Sequence, residues 1–88
     1  MYLDEERLAE QVAGLARDFR LQDEALMGAV KFACYGAIYQ CYNANGGRLY
    51  DEKGEQLPYN WRSSTFESDM LLAEIAQRIS AKVIALLD

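Results

Sequence analysis

The chain predicts a mainly α-helical fold: three helices at about residues 4–20, 23–43 and 64–87, with a short β-hairpin-like excursion at about 48–59. Apolar residues recur at three- and four-residue spacing through all three stretches, the period of a helix with one buried face. Asn43 ends the second stretch, and Asn45, Gly46, Gly47, Gly54 and Pro58, residues that stop helices or shape turns, fall between it and the third. Ser64-Thr65-Phe66-Glu67 carries the capping-box pattern that opens a helix.

In the first helix Leu8, Val12, Leu15, Ala16 and Phe19 form a single stripe, opposite Arg7, Glu10, Gly14, Arg17 and Asp18. Asp4 is suited to cap it, Glu5 and Glu6 complement the positive end of its dipole, and Leu3 is placed to staple onto Leu8. Arg17 and Arg20 suit its negative end. The connection through Leu21 and Gln22 is very short, so the first two helices are expected to form an antiparallel hairpin, with Asp23 capping the second.

The second helix is the most apolar run of the chain. Leu26, Met27, Val30, Cys34, Ala37, Ile38 and Cys41 share one arc, while Phe32, Tyr35, Tyr39 and Tyr42 cluster on the other side around Gly28. Apolar on two faces, it needs two covers, and the expectation is a helix sandwiched by the other two. Ala25, Ala29, Ala33, Ala37 and Cys41 form a ridge of small side chains along which a neighbouring helix can approach closely.

Beyond the glycine-rich stop, Leu49 and Tyr50 lead into a turn at Asp51-Glu52-Lys53-Gly54, with Gly54 placed for positive φ, and Glu55, Gln56 and Leu57 lead back. Two strands alone are marginal in water, so the hairpin is expected to lean on the helices through Leu49, Tyr50, Leu57, Tyr59 or Trp61. In the third helix Leu72, Ile75, Ala76, Ile79, Val83 and Leu86 form the main stripe, and Phe66, Met70, Ala73 and Ile84 a weaker facet.

Composition excludes several functions. Eighty-eight residues suit one domain, residues 1–88, with a modest core. A net charge of −5, spread over both halves, makes a poor nucleic-acid binder, because phosphate contacts supply most of that affinity. No membrane span is expected, since Lys31 and Gln40 interrupt the best apolar run, and the residues after Met1 do not read as a signal peptide. The expected location is therefore cytoplasmic, with Cys34 and Cys41 reduced in the core. Seven positions apart on one helix, they stand about 10.5 Å apart, too far for a disulfide.

Reaction machinery is absent from the sequence. Without histidine the chain lacks the commonest general base and metal ligand, and it has neither a phosphate-binding glycine loop nor a nucleophile elbow. No catalytic residue, metal or cofactor is expected. What stands out is a surplus of amphipathic aromatics, which are enriched at binding hot spots. Phe32, Tyr35, Tyr39, Tyr42, Tyr50, Tyr59 and Trp61 are the candidate interface. The expected function is non-enzymatic binding of another protein by a small acidic regulator, inhibitor or accessory subunit that forms a homodimer. The alternative is a small enzyme or ligand-binding protein with an intersubunit pocket of tyrosine and arginine.

Overall fold

A computed structural model describes residues 1–57 and 66–88, the side chains of residues 66–71 excepted. Among these residues the chain forms α1 (Glu5–Phe19), α2 (Asp23–Ala44), β1 (Leu49–Tyr50), β2 (Gln56–Leu57) and α3 (Phe66–Leu87). The fold class is the one the periodicity predicts. The capping-box residues Ser64 and Thr65, and Pro58, Tyr59 and Trp61, lie outside the described residues.

Asp4 caps α1 from an extended backbone, its Oδ1 accepting from the Arg7 N–H at 3.1 Å. Leu3 and Leu8 are both buried, as a staple requires. At the other end Arg20 takes the left-handed conformation (φ 53°, ψ 46°), and the Leu21 N–H reaches back to the Ala16 carbonyl at 3.0 Å. This is the geometry glycine usually supplies at a helix stop.

The buried face of α1 is not quite the expected one. It consists of Leu8, Ala9, Val12, Ala13 and Ala16, whereas Leu15 is exposed and Phe19 is 69% exposed. Because α1 packs against α2 and α3 together, its covered arc centres on the gap between them. The small Ala9 and Ala13 fill that gap, and the Leu15–Phe19 edge turns outward.

In α2, Val30, Cys34, Ile38 and Cys41 are buried, with Leu26, Ala29, Ala33 and Ala37 packed partly against them; Met27, expected in the core, is exposed. Four of the five small-ridge residues thus take part in the core packing, Cys41 within it and Ala29, Ala33 and Ala37 against it, while Ala25 is exposed. Asp23 is not the cap: Gln22 occupies that position without a side-chain bond, and Asp23 follows at φ 52°. The helix ends as the glycines predict. Gly46 is left-handed at φ 66°, and the Gly47 N–H closes on the Tyr42 carbonyl at 2.8 Å, the wider bond of a Schellman stop.

The hairpin pairs Leu49 with Leu57 and Tyr50 with Gln56 in antiparallel register. Gly54 has the expected positive φ, 82°. The organiser that sequence reading missed is Asp51: its Oδ1 accepts from the N–H groups of Lys53 and Glu55, both at 2.9 Å, while its own carbonyl accepts from Gly54 at 3.0 Å. Leu49 is fully buried and fastens the hairpin to the core. On its free side β1 receives the start of the chain, the Leu3 N–H donating to the Tyr50 carbonyl at 2.8 Å. The Asn45 Nδ2 amide donates to the Met1 carbonyl at 2.6 Å and helps hold this extended segment against the end of α2.

In α3, Ile75, Ala76, Ile79 and Val83 are buried as predicted, joined by Ser80; Leu72 and Leu87 pack partly on the core. Leu86 is exposed instead, because at the end of α3 it is Leu87 that turns inward. Ile38, Ile75 and Ile79 lie at the centre, and burying each is worth about 1.5–3 kcal/mol.

The expected sandwich gives way to a three-cornered bundle. Each helix touches both others, and the most extensive contact joins α1 to α3 rather than either to α2. These two run in the same direction: Glu5 meets Arg78, Glu6 meets Lys82, and further along the Arg17 guanidinium donates to the Leu86 carbonyl. The acid placed in the first turn of α1 thus meets cations on α3, a pairing that links residues 73 and 76 positions apart.

Candidate protein interface

The structure divides the seven aromatic candidates. Phe32, Tyr35 and Tyr39 stand one turn apart on the outer face of α2, at 83%, 48% and 53% exposure. Their positions follow from α2 burying only its Val30–Cys34–Ile38–Cys41 arc against α1 and α3. Gly28, in the same row, carries no side chain and is exposed, so the row is open at its lower end.

Tyr42 belongs to a different setting. It is half-buried against the core, and its hydroxyl oxygen lies 3.3 Å from where a Cβ on Gly47 would stand. Tyr42 is thus part of the packing that closes the end of α2. Tyr50 is half-buried on β1, with its backbone carbonyl engaged by Leu3. Tyr59 and Trp61 lie outside the described residues. Three of the seven candidates therefore form one open cluster on α2, while Tyr42 and Tyr50 serve the fold around the hairpin.

The bundle surface carries shallow clefts beside this face. One of about 360 Å³ lies between α2 and α3, lined by Lys31, Tyr35, Leu72, Ala73 and Ala76. A second, of about 570 Å³, lies where α2 begins and α3 ends, lined among others by Asp23, Met27, Ser80, Ile84 and Asp88. Exposed Met27, expected in the core, and Ile84, from the weaker facet of the third helix, belong to it.

Both cysteines are buried and free. Burial, helped by nearby Glu5, pushes the Cys34 thiol up to about 11, and burial likewise raises that of Cys41, whose Sγ donates to the Tyr2 carbonyl at 3.4 Å. A thiol held neutral is a poor nucleophile and metal ligand. Among the described residues no group of three or more cysteine or carboxylate side chains is placed to hold a metal ion, and no helix is long and apolar enough to cross a membrane. Set against known protein families, characterised proteins and solved structures, the chain matches none.

Proposed function

We propose that the chain is a non-enzymatic protein-binding module, a small acidic regulator or accessory subunit, and that it self-associates through the outer face of α2. The observation that carries this reading is the row of Phe32, Tyr35 and Tyr39 exposed one turn apart on a single helix. Large aromatics combine apolar area with few rotamers, so ordering them at an interface costs little. Phe32, the most exposed of the three, is the centre of the patch.

The competing reading, a ligand pocket of tyrosine and arginine, has less behind it. Arg17 and Arg78 are engaged by the Leu86 carbonyl and the Glu5 carboxylate, and the cation beside Tyr35 is Lys31.

Sedimentation equilibrium over a hundredfold range at about micromolar concentration tests the proposal. The wild-type chain is expected to populate a dimer, and Phe32→Ser and Tyr39→Ala to shift it toward a 10.0 kDa monomer with helicity unchanged. A monomer throughout for the wild type overturns self-association. A loss of unfolding stability in Tyr39→Ala that is independent of concentration, with association unchanged, assigns the ring to the chain's own fold.

A further inference from the structure

Among the described residues the seam between α2 and α3 carries clefts on its outer side. Along the seam between α2 and α3 the two clefts of about 360 and 570 Å³ lie at successive levels. On α2 the wall is Met27, Lys31 and Tyr35, each one turn from the next; on α3 it is Ala73, Ala76, Ser80 and Ile84. Alanine and serine make a low wall, so the trough is shallow and wide enough for another backbone to approach. From Ala73 to Ile84 it runs about 16 Å, three turns of helix.

The charges of the trough are asymmetric. Among the described residues its lower end is lined by Asp23 and Asp88 and by no cation, over a floor of Leu21, Leu26 and Leu87. Asp23 is of the residue type that usually caps a helix, yet it holds a left-handed φ of 52°, and Gln22, not Asp23, occupies the cap.

Resting on the reading of the chain as a protein-binding module, we propose that this seam binds an amphipathic helix of another protein. That helix completes a four-helix bundle. Its apolar stripe lies over Met27 and Ile84, and its lysine or arginine residues lie over Asp23 and Asp88. Helix-in-groove recognition needs an apolar trough about three turns long, and the carboxylate lip selects a basic partner. A second copy is the less favoured occupant of this seam, since Asp23 and Asp88 call for a cationic helix and the chain carries a net charge of −5.

The test uses the full chain and a fluorescein-labelled synthetic helix of about 14 residues, with leucines at i, i+3, i+4 and i+7 and three lysines in one terminal turn. A second peptide replaces those lysines with glutamates. By fluorescence anisotropy the lysine peptide is expected to bind at least about tenfold tighter than the glutamate peptide. Asp23→Asn combined with Asp88→Asn removes that preference, asparagine being chosen because it tolerates the left-handed backbone. Ile84→Ser, at a half-exposed position outside the core, weakens both peptides about tenfold.

Glu10→Gln with Asp18→Asn, the same charge change on the exposed face of α1, leaves affinity within about twofold. An equal loss there, or no preference between the peptides, overturns the proposal. So does a loss of peptide binding in Phe32→Ser, which would seat the helix on the aromatic face and leave the broader reading intact. A homodimer abolished by Ile84→Ser but not by Phe32→Ser would put a second copy in the seam and overturn it too. Self-association without peptide binding sinks this inference alone; absence of both sinks the protein-binding reading.

Discussion

Glu5 and Arg78 face one another through two parallel hydrogen bonds, Nε to Oε1 and a terminal guanidinium nitrogen to Oε2, each 3.1 Å long. The pair ties the first turn of α1 to the middle of α3, and the hydrogen bond to Glu5 raises the Arg78 guanidinium above its ordinary range. Fork-to-fork geometry places it above the ordinary surface ion pair, while solvent on the arginine side limits its worth. Glu5→Gln is expected to cost about 0.5–1 kcal/mol of unfolding free energy. A double-mutant cycle with Arg78→Gln checks that the loss belongs to the pair, and a coupling near zero would assign it to the dipole of α1.

Asp51 and Gly54 should prove to be the two demanding positions of the hairpin tip. Removing Asp51 Oδ1 leaves the Lys53 and Glu55 N–H groups to solvent, and Asp51→Ala is expected to cost about 1 kcal/mol; Asp51→Asn should recover much of it. Gly54→Val forces a β-branched residue to positive φ and should cost about 1–2 kcal/mol. Glu52→Ala and Lys53→Ala, both exposed, should stay within about 0.5 kcal/mol. Urea titration of the four variants checks the ranking, and a large effect from Glu52 or Lys53 would contradict it.

Arg20 offers a stabilising change. It ends α1 in the left-handed region, where a Cβ is crowded and glycine is at ease. Arg20→Gly is expected to raise stability by about 0.5–1 kcal/mol, whereas Arg20→Val should lower it. Thermal unfolding of the two variants in parallel is the check, and equal midpoints would show that the strain is relieved elsewhere.

Cys34 makes stability depend on alkaline pH. The fold holds its thiol protonated up to about 11, against an ordinary 9.0, so the native state keeps a proton that the unfolded chain gives up. The corresponding stability is complete below pH 9.0 and is lost as pH rises through about 11. Denaturant unfolding at about pH 8 and about pH 10.5 should show a steeper decline for wild type than for Cys34→Ala. In the native state at about pH 8, iodoacetamide should label Cys34 far more slowly than in urea; rapid native labelling would contradict its burial.

Three helices, their approximate ends, the glycine stop after α2 and the positive φ of Gly54 were legible in the chain because each depends on neighbours a few residues away. Asp4 accepts from the third residue along, and Gly46 relieves a clash in its own backbone. The apolar arcs were legible too, but not their margins. Leu15, Phe19, Met27 and Leu86 are as apolar as the residues that are buried, and periodicity has no means of separating the middle of an arc from its edge.

The sequence by itself determined which stretches are helical, where they stop, and that α2 carries aromatic residues opposite its aliphatic face. Only the tertiary structure decided which of those aromatics are open, because that depends on where the ends of the chain's elements are brought together. Tyr42 is packed by the close of α2 against Gly47, while Phe32, one helical face away from Val30 and Cys34, meets solvent. The same holds for charge: nothing near Glu5 in the chain points to Arg78, and the two meet because α1 and α3 lie side by side in the same direction. Local backbone preferences act over a few residues, whereas burial of a helix margin is set by two neighbours whose positions the margin itself does not encode.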